Sequence, residues 1–221
     1  MNKKKWYKML DHLIVISLML LVMIFILLPF LLVFRQAFLV DDDYSFQHFI
    51  DLFNHDRYLL WNSLKMASLT TLLTTFISVI VALYAVMSPK WLRRLIIIIL
   101  SITMISPPFV TSLSYITLFG RRGMITYDLL HLRISPYGMW GIVLMQTLGG
   151  FPLKSLLLIR ALDQVDTAMI QSARSLGAKT SALIRDVLIP SIRPTIHIVM
   201  LLTFLGSLSD FGTPTIIGGS F

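Results

Sequence analysis

The chain has 221 residues, of which 56% are hydrophobic and 14% charged, with a mean hydropathy of +0.80. A soluble domain carries roughly 25% charged residues, so this composition excludes a globular fold surrounded by water. The formal net charge of +8 suits either nucleic acid or an anionic membrane face. Its basic residues sit in short connectors between apolar runs, which favours the lipid bilayer and argues against a nucleic-acid partner.

A helix needs ~20 apolar residues to cross a ~30 Å hydrocarbon core. Five runs qualify in chain order: Leu13 to Phe34, Met66 to Met87, Leu95 to Phe119, Tyr137 to Ile159, and Pro194 to Ile217. Lys3, Lys4, Lys5 and Lys8 precede the first run. It is too long for a secretory signal and no small-residue cleavage site follows, so it is expected to stay as an anchor. Pro107-Pro108 interrupt the third run; prolines there free carbonyls that must be satisfied by neighbours or a cavity. The fourth run holds one charge, Lys154, close enough to its end to snorkel to the interface.

Placing the N-terminus inside puts Lys3, Lys4, Lys5, Lys8, Lys90, Arg93, Arg94, Arg160, Arg174, Lys179, Arg185 and Arg193 on the cytoplasmic side. Arg35, Arg57, Lys65, Arg121, Arg122 and Arg133 then lie outside. Twelve against six follows the positive-inside rule, and a cytoplasmic N-terminus is expected. The outer connector from Arg35 to Trp61 carries Asp41-Asp42-Asp43, Asp51 and Asp56. Adjacent acids suit a cation, but a solvated turn is the better reading.

The connector from Arg160 to Pro190 is longer than the ~2–8 residues that join most helices of a bundle. Asp163 or Asp166 is placed to cap a helix over Thr167 to Leu176, with Met169, Ala173 and Leu176 on one apolar face. Gly177 is expected to stop it by taking a left-handed conformation. A second helix, from about Thr180 to Leu188, has Leu183, Ile184, Val187 and Leu188 on its apolar side. Pro190 ends it and Pro194 opens the fifth span. Two such helices turned on a glycine make either a projection that another protein grips or an interfacial pair lying on the membrane.

This segment resembles the signature loop of binding-protein-dependent ABC importer permeases. Gln171-Ser172-Ala173 occupy its opening triplet and Gly177-Ala178 its glycine pair. Ile184 takes its aromatic position, and Val187-Leu188-Ile189-Pro190 its close. The resemblance implies an all-α, polytopic transmembrane helical bundle, with about five of the six spans of a permease half. Residues 1–221 form the transmembrane domain, incomplete at the C-terminus, and 161–190 form a cytoplasmic coupling loop that docks on an ATPase. Gln171 stands where the family has Glu and cannot pair with an arginine as a carboxylate does.

Asp210-Phe211-Gly212-Thr213-Pro214, followed by Gly218-Gly219, resembles the ferric-iron branch of that family, as does the stretch from Gly120 to Gly123. Related branches carry aminoethylphosphonate, polyamines, sulfate or thiamine. On this reading Asp210 lines the pathway and touches iron as a hard oxygen ligand, with Ser209, Thr213 and backbone carbonyls or the second half supplying more oxygens. Asp210 alternatively caps the helix broken at Gly212-Thr213-Pro214. No G-x-x-x-x-G-K motif occurs in the chain, so ATP and its magnesium are expected on a partner ATPase and no cofactor on this chain. The further partners implied are an extracytoplasmic solute-binding protein and a second permease half. The place implied is the cytoplasmic membrane. The rival from another class is a proton-coupled secondary transporter using Asp210 and His197, which would need no docking loop.

Overall fold

The computed structural model of the chain describes residues 3–40, 43–105, 108–120, 122–129, 131 and 137–217. It divides into two compact units, Met1–Leu60 and Trp61–Phe221. In the first, α1 (Lys3–Val22), a π turn (Met23–Leu27) and α2 (Leu28–Gln36) run on as one apolar helix. None of the most apolar window of this helix is buried, as expected of a lipid-facing surface. A short hairpin follows, β1 (Leu39–Val40) with β2 (Asp43–Tyr44), then α3 (Gln47–Asn54).

Helix α4 (Arg57–Met87) leads into the second unit. Its buried face is Met66, Ala67, Thr70, Thr71, Thr74, Thr75, Ser78, Ala82 and Ala85. The residues recur at three- and four-residue steps, and all but Met66 are small, which lets neighbouring helices approach closely. The third expected span is two helices, α5 (Lys90–Thr103) and α6 (Pro108–Phe119). Neither has the ~20 residues that a crossing needs. Pro107 lies outside the described residues, whereas Pro108 opens α6. A π turn (Met124–Leu129) and then α7 (Met139–Asp163) follow.

Beyond α7 come α8 (Thr167–Ser175), α9 (Thr180–Leu183), a π turn (Ile184–Leu188), α10 (Ile189–Ser209) and α11 (Gly212–Ile217). Here one expectation fails. Pro190 does not end the second loop helix, nor does Pro194 open a span. Thr180–Ser209 is one 30-residue helix. The π turn directly before Pro190 supplies the physical reason. Proline has no N–H to give and its ring crowds the carbonyl four residues back, and a widened turn relieves both. Ser191 Oγ also donates to the Val187 carbonyl at 2.7 Å. The π turn Met23–Leu27 stands in the same relation to a proline in the first turn of α2.

Among the described residues, four helices are long and apolar enough to cross a membrane: Tyr7–Gln36, Arg57–Met87, Met139–Asp163 and Thr180–Ser209. The fold is thus an all-α polytopic bundle. One core cluster joins Ala82, Ala85, Leu100, Leu158, Ile159, Leu162, Leu183, Leu188, Ile192 and Val199. A second joins Met66, Tyr115, Ile142, Val143, Met145 and Ile217 toward the starts of α4 and α7.

Candidate functional site

The segment between α7 and α10 is built by local rules. Asp166 is the cap of α8, its Oδ1 accepting from the Ala168 N–H at 2.8 Å. Asp163, the other capping candidate, instead pairs with Arg93 at the start of α5. Gly177 has φ +77°. Its N–H donates to the Arg174 carbonyl at 2.9 Å, and the Ala178 N–H to the Ala173 carbonyl at 3.0 Å. Those two bonds define a Schellman stop, which satisfies carbonyls that the last turn would leave free. Glycine takes the left-handed conformation without steric cost.

The face that α8 turns inward differs from the expected one. Ile170 and Ala173 pack against the core cluster, together with Val165, Ile184 and Val187. Leu183 and Leu188 are buried in it. Met169 is 53% exposed and Leu176 88% exposed. The spacing permits a stripe from either Met169 or Ile170, and packing on the core cluster selects the latter. Gln171, Ser172 and Arg174 are exposed beside Met169 and Leu176, whereas Ala178, Val187 and Pro190 are half-buried. The result is a fixed knob with an apolar and amide outer surface.

A second constellation lies inside the bundle. Gln146 of α7 accepts at Oε1 from Thr70 Oγ1 of α4 at 3.1 Å and from Ser207 Oγ of α10 at 2.6 Å. Its Nε2 donates to Asp210 Oδ2 at 2.9 Å. Asp210 Oδ1 accepts from the Thr213 N–H at 3.1 Å. One amide therefore ties three helices to the acid at the α10–α11 break. Lower on the same helices, Thr74 Oγ1 donates to Thr147 Oγ1 at 3.3 Å, and Ser78 Oγ to the Phe151 carbonyl at 3.3 Å. Thr71 and Thr203 close on their own i−4 carbonyls at 2.7 Å, a self-satisfying habit of helical hydroxyls. The buried hydroxyls of Thr75 and Ser155 make no hydrogen bond among the described residues.

Asp210 is not within a helix, as the run to Ile217 implied; it has ψ 102° and ends α10. Thr213 joins it through a backbone N–H, while Ser209 is exposed and Ser207 turns in instead. His197 is exposed on α10, ~20 Å along the axis from Asp210 at ~1.5 Å per residue, too far for a direct relay. Lys154 does not snorkel toward the nearer end of α7. Its ammonium folds back over Gly150, 3.3 Å from where a Cβ on that glycine would stand, near the middle of the helix. Reading the sequence missed Thr70, Gln146 and Ser207. The available signal was an amide in an otherwise apolar run, with hydroxyls three and four residues apart on a neighbouring span. Among the described residues no three His, Cys, Asp or Glu form a metal-binding group.

A polytopic bundle with a braced polar core and a rigid loop knob has the form of a membrane permease. The family described as binding-protein-dependent transport system inner membrane component matches residues 74–221, and the chain belongs to it. It is 27% identical to a Haemophilus influenzae protein named "Putative ferric transport system permease protein FbpB 1", over 96% of this chain and 35% of that protein. To the thiamine transport system permease protein ThiP of Escherichia coli it is 29% identical, over 74% of this chain and 32% of the relative. The chain thus spans about a third of the length of these curated relatives. Its fold resembles that of a bacterial ABC transporter importing the acidic polysaccharide alginate, with TM-score 0.77 and 18% identity. That likeness covers 98% of this chain and 79% of the other.

Proposed function

We propose that the chain is the membrane-spanning permease part of an ATP-driven importer whose cargo is ferric iron. The observation that carries the reading is the stopped helix pair: the family's loop residues, Gly177 above all, form a knob fixed to the bundle with its outer side uncovered. On this reading the loop 161–190 lies in the cytoplasm, as does the N-terminus, and Met169, Leu176 and Gln171 meet a cleft of an ATPase pair. ATP and magnesium belong to that pair. A solute-binding protein delivers cargo on the outer face, and a second permease half completes the pathway. Rigid α7 runs from Gln146 to the loop, so a push on the knob moves the helix that holds Asp210.

Iron is supported by the similarity to ferric permeases over nearly the whole chain and by Asp210 as a hard oxygen donor. Ser207 rather than Ser209 is the hydroxyl linked to it, through Gln146. Asp210→Asn removes the charge and keeps the cap on the Thr213 N–H, but its Nδ2 cannot accept from Gln146. It is therefore read against Gln146→Leu, which loses that hydrogen bond and keeps the charge. In a complete assembly with its ATPase and binding protein, the variant is expected to lose at least about tenfold in radiolabelled iron uptake, a change of ~1.4 kcal/mol or more. Assembly and basal ATP hydrolysis should be unchanged. Normal uptake by Asp210→Asn reduces the acid to a cap.

A specific observation favours a second cargo class. An ammonium held at mid-helix faces a cavity or a partner by default, and Lys154 over Gly150 is matched to an anionic solute such as aminoethylphosphonate. Uptake of labelled phosphonate, lost in Lys154→Met while iron uptake is nil, would select that class and retain the permease reading.

A further inference from the structure

The hairpin and α3 are tied to the end of α2 by a ladder of rings. Phe30 stacks on Phe34 at 6.3 Å between centroids, Phe34 meets Phe38 edge-on at 5.1 Å, and Phe38 meets Phe46 at 5.5 Å and Phe49 at 5.2 Å. Polar bonds fix the same joint. The Ser45 N–H donates to the Phe38 carbonyl at 2.9 Å and His48 Nε2 lies 3.0 Å from the Leu39 carbonyl oxygen; within α3, Gln47 Nε2 donates to Asp51 Oδ1 at 2.9 Å. At 100° per residue, Phe46, Phe49, Ile50, Leu52 and Phe53 take one side of α3 and Gln47, His48, Asp51 and Asn54 the other. The apolar side is nonetheless open: Phe46 and Phe53 are each 66% exposed and Ile50 48%.

The depth of this element follows from the helix that carries it. Leu13 to Phe34 spans ~33 Å at ~1.5 Å per residue, which fills a ~30 Å hydrocarbon core. Arg35 then stands at the core boundary, and Phe38, Phe46 and Phe49 in the headgroup layer, where aromatic side chains accumulate. The ring ladder makes the apolar side of α3 continuous with the lipid-facing side of α2. We infer that Asp43–Asn54 is an interfacial anchor: α3 lies along the membrane surface with Phe46, Ile50 and Phe53 in the headgroup–acyl boundary and Asp51 facing water. A short amphipathic helix of this kind binds lipid through its apolar face. It would set the height of the first span, whatever the cargo. A soluble partner covering the same face is the competing occupant.

The chain has no cysteine, so single labels are clean. Phe53→Cys, Ile50→Cys and Asp51→Cys would each be tagged with an environment-sensitive fluorophore in the full-length protein, reconstituted in phosphatidylcholine–phosphatidylglycerol vesicles. A nitroxide near the headgroups should quench the Phe53→Cys and Ile50→Cys labels at least about twofold more than the Asp51→Cys label, and aqueous iodide should give the reverse order. Agreement between the two apolar-side variants guards against one that misfolds. Equal quenching at all three positions overturns the assignment. So does an iodide-accessible Phe53→Cys label that becomes shielded only when the solute-binding protein is added, which would make α3 that protein's docking face.

Discussion

Gly177→Val is expected to weaken binding of the partner ATPase at least about tenfold and to reduce transport with it. The left-handed conformation at φ +77° costs a β-branched residue ~1–3 kcal/mol. A Cβ there would meet nothing within 4 Å, so the effect is carried by the backbone. Losing it breaks the pair of bonds from Gly177 and Ala178 to the last turn of α8 and re-aims Met169 and Leu176. The core clusters contain neither Gly177 nor its neighbours in the turn, so the protein should still reach the membrane. Gly177→Asn tolerates the conformation and should restore most of the binding. A pull-down of the ATPase with detergent-solubilised variants reads both. Undiminished capture by Gly177→Val removes the loop from coupling.

Gln146→Leu should have the largest effect inside the bundle. It removes one acceptor shared by Thr70 and Ser207 and the donor to Asp210. The two hydroxyls have a fallback in their own i−4 carbonyls, as Thr71 and Thr203 show, so their share is small. A carboxylate left half-paired has no such fallback. Interhelical hydrogen bonds in membranes average ~0.6 kcal/mol and reach ~1.7, so a loss of roughly 1–2 kcal/mol is expected as a drop in melting temperature. The loss in the double variant Gln146→Leu with Asp210→Leu should be smaller than the sum of the two single losses, because both singles break the same Gln146–Asp210 hydrogen bond. Strict additivity would mean that the two residues act separately.

The spans were legible because hydropathy alone sets them: four of the five expected runs overlap long apolar helices, although the fifth overruns its helix at Asp210. The third is two helices, the second opening at Pro108. The loop was legible because its signals are local. Asp166 caps and Gly177 stops through bonds to residues within five positions. What could not be read depends on neighbours in space. Asp163 resembles a cap until Arg93 takes it. Pro190 resembles a stop until a π turn absorbs it. The inward face of α8 was ambiguous by one residue, and only the packing of Ile170 settles it. Ser207 and Ser209 are equivalent in sequence, yet Gln146, more than sixty residues away, selects one of them. Lys154 was read as an end-of-helix residue, but a helical side chain leans toward the N-terminus, which carries its ammonium away from the nearer end.

The central claim is that the knob meets an ATPase on the cytoplasmic side, and a cross-link tests it directly. Leu176→Cys, at the most exposed apolar position of the loop, gives a unique thiol in a chain that has none. Treated with a short bifunctional maleimide in inverted membranes containing the whole assembly, it should cross-link to the ATPase in a nucleotide-dependent manner. In intact cells it should resist an impermeant thiol reagent. Labelling of Leu176→Cys from outside intact cells, with no ATPase adduct in inverted membranes, would contradict both the orientation and the coupling role.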